Sequence, residues 1–247
     1  MDDLYNLMGK TAWITGGKRI GQKIAEILAK HGANIIISYN KSNAEANETI
    51  SKIKKFGVKT LSVQVDVSSR ESVIQAVKKI KKQFKRVDIL VLMASVFEKV
   101  KFQELSLEDF QKNFDVHVMG TFWPIRESLS IMPNGSHIIT ISDRTFLGNV
   151  YRDFLPYIVT KGAVASLTKA LSIELAQRGI FINSIGPGPV LKPDYMLQRD
   201  WDKIRSASII KYPITDREAV EEFAKLVLYL STARSTGAVY PLDFGHL

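Results

Sequence analysis

The stretch TAWITGGKRIGQKIAEILAKHG, residues 11–32, passes from an apolar run through a glycine-rich turn into an amphipathic segment. Residues 11–15 are typical of a buried strand, and the apolar residues after the turn recur at helical spacing. Gly16, Gly17 and Gly21 suit a turn that brings the backbone close to a pyrophosphate, with N–H groups supplied by the helix that follows. The stretch therefore predicts a nucleotide-binding strand–turn–helix unit, although an ordinary tight turn would also use glycine.

The same alternation of strand and helix patterns continues along the chain. Further strands are predicted at 34–38, 60–65, 88–93, 137–142 and 181–186, and helices at 20–31, 43–56, 70–85, 106–130 and 156–178. Such alternation implies a single α/β domain over residues 1–247, a doubly wound parallel sheet with helices on both faces. A run at 238–244 could add an edge strand. The proline-rich segment 187–213 is expected to lie as an insertion over the carboxyl edge of the sheet, where ligands bind.

Composition and charge exclude several classes of protein. The 247 residues contain no cysteine, and the four histidines show no metal-ligand spacing, so disulfides, metal sites and thiol nucleophiles are not expected. The apolar runs are short and the N-terminus does not resemble a signal peptide, which favours a cytoplasmic protein with no membrane partner. The net charge of +9 is concentrated in 51–59 and 77–86. A nucleic-acid patch would explain it, but a solvated lysine-rich surface is the simpler interpretation.

The end of the second predicted strand bears on the choice of nucleotide. A cofactor with a free ribose 2′-hydroxyl usually meets an acidic residue about 20 residues past the glycine turn. Here the chain reads SYNKS at 38–42 and contains no acid. Lys41 lies in this segment, and Lys18 and Arg19 could approach it from the turn. These residues favour NADP(H) over NAD(H), because a 2′-phosphate would be neutralised and a bare hydroxyl would lack its acceptor.

Tyr157 and Lys161 are four residues apart on a predicted helix and share one of its faces. A lysine ammonium close to a phenol favours the phenolate and would lower the tyrosine pKa from about 10. Such a tyrosine can give a proton to a carbonyl oxygen while hydride arrives at the carbon. The pair follows the strand pattern at 137–142, which favours a catalytic interpretation over two ordinary surface residues.

These features together resemble the short-chain dehydrogenase/reductase family over nearly the full length. The matching stretches are the glycine turn, DVSS at 66–69, DILVLMAS at 88–95, Tyr157 with Lys161, and NSIGPGPV at 183–190. The resemblance implies a Rossmann fold with seven strands, a small-molecule substrate and a homotetramer or homodimer. It also implies that Lys161 binds the nicotinamide ribose. The residues expected to line NADP(H) are Gly16, Gly17, Lys18, Arg19, Ile20, Gly21, Asn40, Lys41, Ser42, Asp66, Val67, Ala94, Ser95, Pro187, Gly188 and Val190.

The position of the family's substrate-orienting serine holds Asp143 in this chain, with Ser142 beside it and one residue inserted before Tyr157. An aspartate there is similar to pteridine reductases. That subgroup also has Lys-Arg in the glycine turn and a pattern after the second strand that YNKSNAEA, residues 39–46, matches. Asp143 is therefore a catalytic candidate that could accept a hydrogen bond from a substrate N–H, or donate one if protonated.

Other departures concern the walls of the site. His117 stands where the family has an asparagine that anchors a proton-relay water. It could relay protons, since a histidine pKa lies near neutrality, or it could simply pack inside a helix. The family's Asn-Asn-Ala-Gly reads Leu-Met-Ala-Ser at 92–95. The aromatic candidates for a substrate pocket are Phe97, Tyr151, Phe154, Tyr195 and Trp201, and Phe97 is the best placed to stack on a planar ring.

Three functions remain open on these residues. The first is NADPH-dependent reduction of a C=O or C=N bond in a pterin-like heterocycle or carbonyl compound, with Tyr157 as proton donor. The second is reduction of 3-oxoacyl thioesters, which Asp143 disfavours because an anion opposes the charge developing on the carbonyl oxygen. The third is a nucleotide-sensing protein without turnover, which the lost asparagines favour and the Tyr157–Lys161 pair disfavours.

Overall fold

The structure is a computed structural model that describes residues 5–16, 18–146, 148, 150–211 and 214–246. Gly17, one of the predicted cofactor residues, lies outside this set. The described strands form a seven-stranded sheet in the order β3-β2-β1-β4-β5-β6-β7, with every neighbouring pair parallel. Their bounds are β1 Thr11–Thr15, β2 Asn34–Tyr39, β3 Thr60–Gln64, β4 Ile89–Leu92, β5 His137–Ile141, β6 Phe181–Pro187 and β7 Val239–Leu242. The predicted seven-stranded parallel fold is confirmed.

Helices cover both faces of this sheet. They are α1 Ile20–Lys30, α2 Asn43–Ile53, α3 Arg70–Phe84, α4 Leu107–Phe114, α5 Gly120–Ser128, α6 Leu155–Ala176, α7 Gln198–Ser206 and α8 Asp216–Leu230. Successive strand residues alternate between the faces, so Ile14 packs in one apolar cluster with α1 and α8 while Trp13 packs in the other with α3. The strands are therefore apolar on both sides, as a covered parallel sheet requires. In the described part of the chain, no helix is both long and apolar enough to cross a membrane.

The chain order reverses at β1, which pairs with β2 on one side and with β4 on the other. Ligands of open α/β sheets bind beyond the carboxyl ends of the strands at such a reversal. The glycine turn follows β1 directly and leads into α1. The segment that follows β6 contains α7, and its residues Leu191 and Trp201 line cavities beyond the carboxyl ends of the strands.

The region 106–130, predicted as one helix, is interrupted in the structure. A π-helical turn at Asp115–Met119 separates α4 from α5, and α5 itself contains Pro124. A π turn carries one extra residue, and such turns are frequent at functional sites. Here the turn buries His117, which is 1% exposed. The periodic pattern of the sequence identified the helical segment but not this break.

Candidate active site

The glycine turn brings two backbone segments into close contact. Gly16 has φ +86°, a conformation that favours glycine, and its N–H donates to the Ser38 carbonyl. A Cβ atom on Gly21 would lie 2.1 Å from the Gly16 carbonyl oxygen, so no side chain fits there. The turn therefore depends on glycine. Its backbone and the first residue of α1 line a neighbouring cleft. These features fit the phosphate-binding turn of a dinucleotide site.

A cleft of about 810 Å³ runs from this turn past the ends of β2 and β4. Its lining includes eleven of the residues predicted to contact the nucleotide: Gly16, Lys18, Arg19, Ile20, Asn40, Lys41, Ser42, Asp66, Val67, Ala94 and Ser95. The Asp66 carboxylate accepts hydrogen bonds from the backbone N–H and hydroxyl of Ser68. Thr15 was missed by sequence reasoning, although its hydroxyl accepts the N–H groups of Met93 and Ala94 and so shapes the cleft floor.

The two basic residues of the turn point in different directions. The Lys18 ammonium lies 3.3 Å from a Glu45 carboxylate oxygen, beside the Asn40–Ser42 end of the cleft. The Arg19 guanidinium instead donates to the Lys192 carbonyl and lies 3.7 Å from Asp194. Arg19 has φ +57° at the start of α1, which turns its side chain toward the segment after β6. Lys18 therefore lies at the end of the cleft where a 2′-phosphate is predicted, whereas the contacts of Arg19 direct its guanidinium toward the segment after β6.

A second cavity of about 450 Å³ adjoins the cleft and shares the wall residues Ile20, Met93, Ser95 and Leu191 with it. Its lining brings together the predicted residues Asp143, Tyr157, Lys161, Phe97, Pro187, Gly188 and Val190. The Phe97 and Phe154 rings stack with centroids 4.4 Å apart, and Tyr195, which is 57% exposed, stacks on Phe97 at 6.5 Å. Aromatic side chains thus form one wall, and Tyr195 extends that stack outward.

Asp143 is the polar centre of this cavity. One carboxylate oxygen accepts the Tyr157 hydroxyl at 2.8 Å, and the other accepts the Tyr151 hydroxyl at 2.7 Å and the Thr145 N–H at 2.9 Å. Asp143 is 5% exposed, and three donors surround its carboxylate. Ser142 is turned away from the cavity, and its hydroxyl donates to the Ile185 carbonyl. Asp143, rather than Ser142, therefore faces Tyr157.

The predicted effect of Lys161 on Tyr157 is not what the structure shows. The Lys161 ammonium donates to the Ile141 carbonyl at 2.8 Å and lies 5.8 Å from the centre of the Tyr157 ring. Burial, followed by the charge of Asp143, raises the pKa of Tyr157 well above its usual value instead of lowering it. Burial also lowers the pKa of Lys161 to about 8. Tyr157 is thus a protonated phenol, because burial and then the Asp143 charge disfavour its phenolate form.

His117 is held from both sides by the protein. Its Nε2 accepts the Val96 N–H at 3.1 Å and lies 2.9 Å from the Ser95 hydroxyl, so Nδ1 carries the proton and donates to Thr160 Oγ1 at 2.8 Å. Burial, and then the charge of Lys161, lowers the pKa of His117 to about 3. The ring is therefore neutral and joins the cleft wall to α6. These contacts favour the packing interpretation over the proton relay.

The nearly complete chain matches known proteins in sequence and in structure. A family model described as enoyl-(acyl carrier protein) reductase matches residues 16–246. Glucose 1-dehydrogenase 2 of Bacillus subtilis is 30% identical, with 97% of this chain and 95% of that protein covered. NADPH-dependent aldehyde reductase 1 of Arabidopsis thaliana is 31% identical over 81% of this chain and 72% of that protein.

Solved structures match along almost the whole fold. The short-chain dehydrogenase of Burkholderia cenocepacia in complex with NADP is 26% identical, with a TM-score of 0.89 and coverage of 98% of this chain and 99% of that chain. In this chain the glycine turn and the cleft beside it lie at the sheet edge where open α/β sheets bind their ligands. These matches, which extend over nearly the full fold and agree with its nucleotide turn, show that the chain belongs to the short-chain dehydrogenase/reductase family of NAD(P)(H)-dependent oxidoreductases.

Proposed function

We propose that this protein reduces a C=O or C=N bond of a small substrate with NADPH, and that Tyr157 supplies the proton. The observation that carries the proposal is the Tyr157–Asp143 hydrogen bond of 2.8 Å inside a cavity that joins the nucleotide cleft. A protonated phenol in this cavity can donate to an oxygen or nitrogen atom of a substrate whose carbon lies toward the cleft. Proton donation by a positioned side chain is the contribution that the reaction needs from the protein.

The residues of the cavity divide the remaining tasks. The bound nicotinamide nucleotide supplies hydride. Pro187, Gly188 and Val190 would form the wall for its nicotinamide end, and Lys161, whose ammonium lies below the Tyr157 ring, would hold the ribose and offset charge left on the phenol. Asp143 holds the Tyr157 proton in place until a substrate atom accepts it. The aromatic wall lowers the local dielectric constant, which strengthens each of these electrostatic contacts.

Preference for NADPH is supported by the charges at the far end of the cleft. Lys18, Lys41 and Ser42 line this end together with Asn40, and the segment 38–42 contains no acidic residue. A lysine ammonium is a good partner for a phosphate, and the missing carboxylate removes the usual acceptor of a 2′-hydroxyl. Glu45 pairs with Lys18 at the surface and would compete only weakly, because exposed ion pairs contribute little.

The substrate we propose is a planar heterocycle of the pterin type or a compact aromatic carbonyl compound. The pteridine reductase-like features Asp143, Lys18 and Arg19 support the first. The apolar and aromatic lining of the second cavity, with Phe97 stacked on Phe154, supports both classes. Stacking on an aromatic wall favours a flat ring, and its contribution depends on ring overlap rather than on specific polar groups.

A panel of substrates tests this function directly. NADPH oxidation is followed by absorbance in the presence of dihydropterins, aromatic aldehydes, diketones and quinones. Each substrate is measured again with NADH in place of NADPH at the same concentration. We expect turnover on at least one class and a higher kcat/KM with NADPH. Tight NADPH binding without turnover on any class would instead favour the nucleotide-sensing alternative, and a preference for NADH would contradict the cofactor assignment.

Lys18→Ala and Arg19→Ala separate the roles of the two basic residues in the turn. Lys18→Ala is expected to weaken NADPH binding about tenfold and leave NADH binding unchanged, since one contact with the 2′-phosphate is worth about 1.4 kcal/mol. Arg19→Ala is expected to alter both affinities alike, because its guanidinium reaches Lys192 and Asp194. Fluorescence titration measures both constants. If Lys18→Ala weakened the binding of NADPH and NADH equally, the proposed contact between Lys18 and the 2′-phosphate would be wrong.

The assembly and the location of the protein stay predictions. We propose a homotetramer or homodimer, as the family resemblance implies, in the cytoplasm. Exposed apolar side chains on described helices, among them Leu107 on α4 and Ile173 on α6, are consistent with buried surface between copies. Light scattering on the purified protein gives the number of copies.

A further inference from the structure

The site as described leaves the reacting oxygen with one hydrogen-bond donor. Tyr157 provides one O–H, and the position of the family's serine holds Asp143, whose carboxylate only accepts hydrogen bonds. The neighbouring Ser142 is fully buried and directed at the Ile185 carbonyl and the Ser184 hydroxyl. A developing oxyanion beside a carboxylate needs more than one donor to be stabilised. The described residues of the cavity offer a second phenol for this purpose.

That phenol is Tyr151, in the loop before α6. Its hydroxyl donates to Asp143 Oδ1 at 2.7 Å, next to the oxygen that holds Tyr157. Its ring is fixed by the Arg144 guanidinium, 5.7 Å from the ring centre, and by the edge of Phe154 at 5.8 Å. Arg144 itself donates to the His246 carbonyl. Tyr151 is therefore held in one orientation on the cavity side of Asp143.

We propose that Tyr151 is a catalytic residue that donates the second hydrogen bond to the reacting oxygen of a carbonyl substrate. The inference rests on the proposed function. In the reaction, the carbonyl carbon would gain hydride from the bound nicotinamide nucleotide, which would be oxidised, as the C=O π electrons move to oxygen. Tyr157 would pass its proton to that oxygen to complete the alcohol and would be left as a phenolate near the Lys161 ammonium. Tyr151 keeps its proton and swings its hydrogen bond from Asp143 to the developing oxyanion.

The resting contacts explain why a carboxylate can stand in this position. Before the substrate enters, Asp143 aligns both phenols with one of its oxygens each. The pKa of Tyr151 is raised above its usual range, first by burial and then by the Asp143 charge, so the hydroxyl stays protonated. Asp143 thus acts as a holder for two donors, and the phenols separate its charge from the substrate oxygen.

Tyr151→Phe tests this role because it keeps the ring contacts with Arg144 and Phe154 and removes only the hydroxyl. With the best carbonyl substrate of the panel, kcat is expected to fall about a hundredfold, the effect of losing one oxyanion donor. The KM for the substrate and the dissociation constant of NADPH are expected to change less than twofold. The matched control is Tyr240→Phe, which removes a hydroxyl bonded to Ser235 at 2.6 Å on β7 and leaves kcat unchanged.

A double-variant cycle distinguishes direct donation from an effect transmitted through Asp143. If Tyr151 touches the reacting oxygen, Tyr151→Phe still lowers kcat in an Asp143→Asn background. If its effect vanishes there, or if the loss in the single variant appears in KM alone, the proposal is overturned.

Tyr157→Phe distinguishes a failure of the proposed function from a failure of the role assigned to Tyr151. An inactive Tyr157→Phe with a fully active Tyr151→Phe would refute only the second donor, whereas an active Tyr157→Phe would refute the proposed function.

Discussion

Tyr157→Phe is expected to lower kcat about a thousandfold, within the range that general acid catalysis contributes. Phenylalanine preserves the edge contacts of the ring with Phe97 at 4.7 Å and with His117 at 5.5 Å, so the cavity keeps its shape. What is lost is the O–H that bonds Asp143 and would protonate the substrate. NADPH oxidation under saturating substrate measures kcat, and fluorescence titration measures the dissociation constant of NADPH, which is expected to stay within twofold.

The structure offers a control for this substitution. Tyr229→Phe on α8 removes a phenol hydroxyl from a tyrosine that is 45% exposed and lines neither cavity. It is expected to leave kcat unchanged. Full turnover in Tyr157→Phe with any substrate of the panel would show that the proton comes from another group. The assignment of Tyr157 would then be wrong, whatever the cofactor preference.

Gly21→Ala is expected to weaken NADPH binding by at least about a hundredfold, equal to about 2.7 kcal/mol. The added Cβ would overlap the Gly16 carbonyl oxygen, from which it would be separated by only 2.1 Å. Both atoms belong to the backbone of one short turn, so the clash is relieved only by opening that turn. Overpacking of this kind also costs roughly 1–3 kcal/mol of folding free energy. Fluorescence titration and thermal unfolding measure the two effects.

Gly162→Ala is the matched control for Gly21→Ala. Gly162 lies inside α6, and a Cβ atom there would meet no atom within 4 Å. Alanine is expected to stabilise the helix by up to about 1 kcal/mol. The two variants therefore predict opposite shifts in the unfolding temperature. Normal nucleotide binding by Gly21→Ala would mean that the turn adopts another path, and its predicted role at the pyrophosphate would have to be withdrawn.

The inner strands were predictable because they are buried on both faces. Ile35, Ile36 and Ile37 occupy successive positions of β2 and all are fully buried, so a continuous apolar run is the expected pattern. The starts of α1, α2, α3, α4 and α6 were predicted to within one residue, whereas α7 and α8 were not predicted. The π turn at Asp115–Met119 was not, since one extra residue in a helix changes the hydrogen-bond partners without disturbing the apolar pattern enough to be noticed.

The candidate site was predictable where its residues belong to local motifs, as with Tyr157 and Lys161 or with the glycine turn. It was not predictable where a side chain chooses a partner far along the chain. The Arg19 guanidinium donates to the Lys192 carbonyl, and the sequence of the turn does not predict that partner. Tyr151 was predicted only as one of several aromatic residues of the pocket, because its hydrogen bond to Asp143 is visible only in the folded structure. Sequence spacing identifies groups, whereas their hydrogen bonds depend on the assembled fold.

The reversal of chain order at β1 has a further consequence. Nearly all the residues that line the first cleft come before residue 100, whereas the acid–base groups of the second cavity, Asp143, Tyr151, Tyr157 and Lys161, come from the segment after β5 and from α6. The cleft predicted to bind the nucleotide and the cavity predicted to bind the substrate are therefore built mainly from different parts of the chain. Among the described residues, the cleft and the cavity share the four wall residues Ile20, Met93, Ser95 and Leu191. Substitutions in one part are therefore expected to alter one specificity and leave the other intact, so that nucleotide and substrate preference would be separable in evolution and in engineering.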